Sequence, residues 1–191
     1  MRISKLEPRY EIVYIDPPWP YYGDPNKMGA AGKHYSLMTE QEIYDLPVKS
    51  LLANPKKGAV FVWATSPKLD MAIEAIKRWG FHYRGVAFVW VKTTQSGSII
   101  GAQGVPPTGT KPTSELLLLA TTNKTGRPFP LLDAGVAQVV LAPRSKHSQK
   151  PTVFYEKIER LYGKRPRVEV FARNAFEGWD CWGNEAPDVG I

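Results

Sequence analysis

The stretch that most constrains this chain is Glu11-Ile12-Val13-Tyr14-Ile15-Asp16-Pro17-Pro18-Trp19-Pro20. An apolar, β-favouring run stops at an acidic residue, two prolines and a tryptophan. Proline has no N–H for a strand ladder and pushes the residue before it into an extended conformation. The strand therefore ends at about Asp16, which leaves a carboxylate at its carboxyl end. In open α/β sheets that edge is where ligands bind. Asp16-Pro17-Pro18-Trp19 is a stiff loop carrying an acceptor, exposed carbonyls and a flat aromatic, suited to a flat base bearing an amine. By themselves the four residues fit a plain strand and turn equally well.

The chain has 191 residues, 43% hydrophobic and 23% charged. That is the expectation for a single globular domain over 1–191 with a sizeable core. No apolar run is long enough to span a membrane, and residues 1–8 lack the apolar segment of a signal peptide. One cysteine, Cys181, rules out an intrachain disulfide and fits a reducing cytoplasm. The net charge of +7 is compatible with a polyanionic partner such as nucleic acid. The cations are spread along the chain, with a pair at Lys56-Lys57 and a denser group at Lys164, Arg165 and Arg167.

The periodicity alternates between strand and helix. Residues 12–15, 59–64, 86–91, 116–120, 139–141 and 168–171 predict strands, the second one buried on both faces. Thr39 with Glu42 three residues later is a capping-box pattern, so a short helix starts there. Leu69, Ala72, Ile73, Ile76 and Trp79 recur at helical spacing, and Gly80 stops them. Pro151 is expected at the first position of a helix whose apolar face is Phe154, Ile158 and Leu161, with Gly163 as its end. Residues 92–112 carry no periodicity and predict a long loop. Asn54-Pro55 predicts a turn. This pattern implies a doubly wound α/β fold with a mainly parallel sheet and helices on both faces. Polar residues at strand ends (Asp16, Thr65, Lys92 and Arg173) then collect at one edge as a cleft.

Three further clusters stand out. His147-Ser148-Gln149-Lys150-Pro151 puts a lysine at a helix entry, where backbone donors and a cation suit a carboxylate, although a solvated lysine fits as well. Glu169 with Arg173 closes a strand, where a carboxylate can accept from ribose hydroxyls, although a surface ion pair fits too. Residues 178–185 form an aromatic, amide-rich tail. Together these motifs resemble the MT-A70 family of adenine-N6 methyltransferases. Asp16-Pro17-Pro18-Trp19 matches the catalytic motif and Tyr35-Ser36-Leu37-Met38-Thr39 the segment after it. Phe88-Val89-Trp90-Val91-Lys92-Thr93, Ser114-Glu115-Leu116-Leu117-Leu118, Ser148-Gln149-Lys150-Pro151, Gly178-Trp179 and Trp182-Gly183-Asn184-Glu185 follow in family order.

The resemblance implies a Rossmann-like methyltransferase fold in permuted order, catalytic motif first. It implies S-adenosyl-L-methionine as cofactor and the N6 amine of adenine in nucleic acid as acceptor. A small chain without added subdomains is similar to bacterial or bacteriophage enzymes, so DNA is expected over RNA, site-specific methylation is expected, and the location is the cytoplasm of a bacterial or phage-infected cell. The catalytic group is Asp16, Pro17, Pro18 and Trp19. Tyr21, Tyr35 and Lys92 are expected on the substrate. Asp16, Ser148, Lys150, Glu169, Arg173, Asn184 and Glu185 are expected around the cofactor. Phe171-Ala172-Arg173-Asn174-Ala175 departs from the pattern, standing where most methyltransferases have a glycine-rich loop. A silent nucleic-acid-binding partner of the same fold and a cytosine-N4 methyltransferase are the rival readings; a serine often replaces the aspartate in the latter. Cys181 lies in a core-like segment, which argues against the cysteine nucleophile of cytosine-C5 chemistry. His34, His82 and His147 lack metal-ligand spacing, so no metal site is expected. No membrane contact is expected, and monomer and homodimer both remain open.

Overall fold

The structure is a computed structural model that describes residues 7–20, 38–101, 108–144 and 149–183. Tyr21, Tyr35, Ser148, Asn184 and Glu185, and with them His34 and His147, lie outside the described residues.

Among the described residues, seven strands form one sheet. They are β1 (Ile12–Ile15), β2 (Ala59–Ala64), β3 (His82–Thr93), β4 (Ser114–Thr121), β5 (Val139–Pro143), β6 (Arg167–Val170) and β7 (Asp180–Trp182). Their order is β5-β3-β4-β2-β1-β6-β7. β1 runs parallel to β2 and β6, β6 to β7, and β3 to β5, while β4 is antiparallel to both β2 and β3. Six strands thus point one way and β4 alone runs back. The mainly parallel sheet with helices on both faces is the α/β arrangement expected from the sequence.

Alternation along each strand builds two cores. Val13 and Ile15 of β1, with Val60 and Val62 of β2, pack under α1 (Glu40–Tyr44) and α2 (Leu69–Arg78). Ile12 and Tyr14, with Phe61 and Trp63, pack on the opposite face under α3 (Val153–Tyr162). Both faces of the central strands are covered, which is why β1 and β2 are apolar without interruption. Phe154 and Ile158 of α3 are fully buried, and each stabilises the fold by about 1.5–3 kcal/mol.

The local signals hold where the chemistry is local. The Thr39 side chain accepts from the Glu42 N–H, and the Glu42 carboxylate accepts from the Thr39 N–H at 2.7 Å, so the capping box is complete. Gly80 and Gly163 take positive φ of 82° at the ends of α2 and α3. Asn54 makes the expected turn, its carbonyl accepting from Lys57 at 2.9 Å. Cys181 is buried in β7.

Three expectations need correction. Pro151 is not the first residue of α3; Thr152 is the cap and Val153 the first helical residue, so the proline carbonyl, not its ring, meets the first turn at Phe154 N–H. β3 is longer than 86–91, because the polar residues His82 and Tyr83 still pair with Thr121 and Ala120 of β4. Residues 92–101 are not structureless: the chain turns through Thr94 and Gly97, and Thr93 bridges Ile99.

Candidate active site

The carboxyl edge of the parallel strands gathers the site. Asp16 follows β1 directly. β6 lies beside it in register, Tyr14 opposite Glu169 and Ile15 opposite Val170, and the Asp16 N–H reaches the Val170 carbonyl at 3.5 Å. Asp16 therefore sits next to the loop that follows β6. The segment ahead of α3 brings in Lys150, and its ammonium meets Asp16 Oδ2 at 2.8 Å. Because β4 runs backwards, its amino end reaches the same edge. Glu115, its second residue, meets the Lys150 ammonium at 3.0 Å through Oε2 and the Lys92 ammonium at 2.6 Å through Oε1. Lys150 also stands 5.2 Å from the centre of the Trp63 ring, within cation–π range.

Burial and charge act against each other in this row. Burial pushes the Asp16 carboxyl up and Glu115 adds to that, while Lys150 and Arg173 pull it down; the net direction is up. Burial also pushes Glu115 up, but the Lys150 and Lys92 ammoniums outweigh it and hold the carboxyl at about 2. Burial lowers Lys150, yet Asp16 and Glu115 hold it well above the ordinary lysine value. Lys150 is therefore charged at any ordinary pH.

The Asp-Pro-Pro-Trp loop is braced from both sides. The Pro17 carbonyl accepts the Trp19 N–H at 2.8 Å, and the Pro18 carbonyl accepts Met38 N–H at 3.3 Å. A carbonyl oxygen has two lone pairs, so Pro17 keeps one acceptor position. The Trp19 indole donates to the Trp63 carbonyl at 2.9 Å and packs against the core under α1 and α2. The indole anchors the loop to β2.

Beside Asp16 opens a small cleft. Its walls include Lys150, Tyr155, Glu169, Phe171 and Arg173. Glu169 is 7% exposed and accepts from the Tyr155 hydroxyl at 2.8 Å, so it is no surface ion pair. Burial drives its pKa up to about 7 against the Tyr155 hydrogen bond, which favours the charged form. Phe171 has a φ of 64°, in the left-handed region where glycine is at ease. This residue opens the loop that replaces the glycine-rich one. Beyond it, Ala172 N–H donates to the Trp182 carbonyl at 3.0 Å, and Gly183 lies so close that a Cβ there would be 2.5 Å from the Ala172 oxygen. Phe176 stacks on Tyr155 with ring centres 4.4 Å apart, which ties the far end of the loop to α3.

The structure thus brings together Asp16, Lys150, Glu169 and Arg173 on the cleft wall, while Pro17, Pro18 and Trp19 follow Asp16 in the chain and are not among the lining residues. Lys92 lies at the same edge, with its ammonium on Glu115. Glu115 and Tyr155 escaped the sequence reading. Glu115 opens an apolar strand whose direction no local pattern records, and Tyr155 carries only the signal of an apolar helix face. Among the described residues, no three His, Cys, Asp or Glu side chains are grouped to hold a metal ion. No helix among them is long and apolar enough to cross a membrane.

Similarity to known proteins follows the same elements. A type II methyltransferase of a Mycoplasma species, M.MunI, is 30% identical over 94% of this chain and 79% of its own length. An N6-methyladenosine RNA methyltransferase of Pyricularia oryzae is 30% identical over 93% of this chain, which spans 47% of that protein. A human N(6)-adenine-specific methyltransferase is 26% identical over 92% of this chain, which spans 37% of it. The chain thus spans most of the first relative and less than half of the other two. The MT-A70 family profile matches residues 10–185, from two residues before β1 to the residues after β7. Every strand, helix and cleft residue described above falls inside that match, and the chain belongs to the MT-A70 family.

Proposed function

We propose that this chain transfers the methyl group of S-adenosylmethionine to the N6 amine of adenine in nucleic acid, in DNA rather than RNA. The observation that carries the reading is the Asp16 carboxylate. It follows β1 in a braced Asp-Pro-Pro-Trp loop, is paired to Lys150 at 2.8 Å and lines the cleft. The names of two relatives support the reaction at adenine N6, and DNA is preferred because the chain spans 79% of a type II methyltransferase but only 47% of an RNA methyltransferase.

The donor set of the cleft fits the cofactor. An ammonium has three N–H donors, and Asp16 and Glu115 engage two on Lys150. The third, with Arg173 on the cleft wall, suits a methionine carboxylate. Glu169 suits ribose hydroxyls, and Phe171 offers an apolar surface. When bound, the cofactor supplies a sulfonium-activated methyl group.

The protein's own part is to aim the acceptor. The adenine N6 lone pair is delocalised into the ring, so the amine is a weak nucleophile. Asp16 and the Pro17 carbonyl each accept one N6 hydrogen, which localises the lone pair on nitrogen and aims it at the methyl donor. The neutral amine is too weak an acid for Asp16 to deprotonate beforehand. Asp16 therefore stabilises positive charge as it develops on nitrogen and takes the proton afterwards. Alignment of nitrogen and methyl supplies much of the remaining acceleration. A base within a duplex cannot reach such a pocket, so the adenine is unpaired or flipped out.

The test is incubation with methyl-labelled cofactor and either DNA or RNA, then nucleoside mass spectrometry. Label on deoxyadenosine is the expected result. Label on adenosine alone would change the polymer and keep the chemistry. Label on cytidine, or none, would overturn the proposal.

A further inference from the structure

Four charged side chains alternate in sign along the carboxyl edge: Asp16, Lys150, Glu115 and Lys92. Neighbours touch at 2.8, 3.0 and 2.6 Å, and side-chain exposures lie between 9% and 18%. They come from β1, the segment ahead of α3, β4 and β3. A row of buried charges is tolerated only when each member has a partner, since the desolvation penalty is several kcal/mol per ion. Glu115 gives one oxygen to each lysine. Lys92 also stands 5.2 Å from the Trp90 ring centre, so its ammonium is held on two sides by the protein.

We propose that Lys92 is a positioning residue that acts through Glu115 to keep the Lys150 ammonium on Asp16, and that it does not contact nucleic acid. The inference rests on the reading of Asp16 as the acceptor of the adenine amine. Without Lys92, two carboxylates share the single ammonium of Lys150. Glu115 then either takes up a proton or draws Lys150 away from Asp16, and both outcomes disturb the acceptor. Among the described residues, the charged groups facing Glu115 are Lys92 from β3, Lys150 ahead of α3 and Asp16 after β1; Arg173, from the loop after β6, and Glu169 of β6 act on Asp16.

The test uses Lys92→Met, Lys92→Arg, Glu115→Gln and the double variant Lys92→Met with Glu115→Gln. Carboxyl-carbon NMR reads the ion row whether or not the protein turns over. In Lys92→Met the Glu115 titration moves up from about 2 toward its ordinary value of 4.5. With an adenine-containing oligonucleotide, Lys92→Met lowers kcat about tenfold, leaves the oligonucleotide KM within about twofold, and moves the acid limb of the rate profile to higher pH. Lys92→Arg restores kcat to within about threefold, and Lys92→Met has little further effect in the Glu115→Gln background. A raised KM with kcat and pH limb unchanged would mark a direct substrate contact and overturn the inference. So would full additivity in the double variant. Absence of methyl transfer by the unsubstituted protein would instead remove the reading on which the inference rests.

Discussion

Glu169 is a carboxyl held where its charge is unwelcome. Its pKa is pushed up to about 7 by burial, whereas its ordinary value is 4.5. The folded protein therefore binds a proton here that the unfolded chain releases between those values. The stability this group contributes is full below about pH 4.5 and is lost as pH rises through about 7, roughly 3 kcal/mol at most. The ionised carboxylate is the better acceptor for ribose hydroxyls. Cofactor affinity measured by calorimetry should thus rise between about pH 6 and pH 8, while Glu169→Gln should be flat across the same window. A rise that survives in Glu169→Gln would place the titrating group elsewhere. At this scale the sequence located Asp16, Lys150, Glu169 and Arg173 because each adjoins a legible strand end or helix entry. It missed Glu115 because nothing in Ser114-Glu115-Leu116 says that the strand runs against its neighbours. Whether that residue lies at the cleft or at the far edge depends on that direction alone.

At the scale of elements, strands with two buried faces and helices with one apolar stripe were legible, since burial writes its period into the sequence. The ends were less so. β3 extends back to His82 through residues whose pairing comes from β4, a tertiary partner, and α3 begins two residues after Pro151. The join between β7 and the loop after β6 was not legible at all. It depends on backbone approaching backbone at Gly183, 2.5 Å from Ala172 O to an added Cβ, and on a left-handed Phe171. Gly183→Ala forces that join apart and should destabilise the fold by about 1–3 kcal/mol, seen as a lower melting temperature. Cofactor affinity should fall with it, because Arg173 and Phe171 belong to the displaced loop. An unchanged melting temperature would mean that the join yields freely.

For the whole molecule, six strands sharing one direction carry Asp16, Thr65, Lys92 and Arg173 to a single edge, as the order of strands and helices implied. The returning strand adds Glu115 between the lysines, and the Asp16 carboxylate becomes the end of a buried ion row. The central claim is that this row presents Asp16 as the acceptor that aims an adenine amine. The most direct test compares the protein with Asp16→Asn, both given methyl-labelled S-adenosylmethionine and adenine-containing DNA. Nucleoside mass spectrometry reads N6-methyldeoxyadenosine, and calorimetry reads cofactor affinity. The account predicts label on N6 with the unsubstituted protein and a loss of about 10²–10³-fold or more in Asp16→Asn, with cofactor affinity kept within about tenfold. Undiminished label in Asp16→Asn, or no label on adenine from the unsubstituted protein, would contradict it.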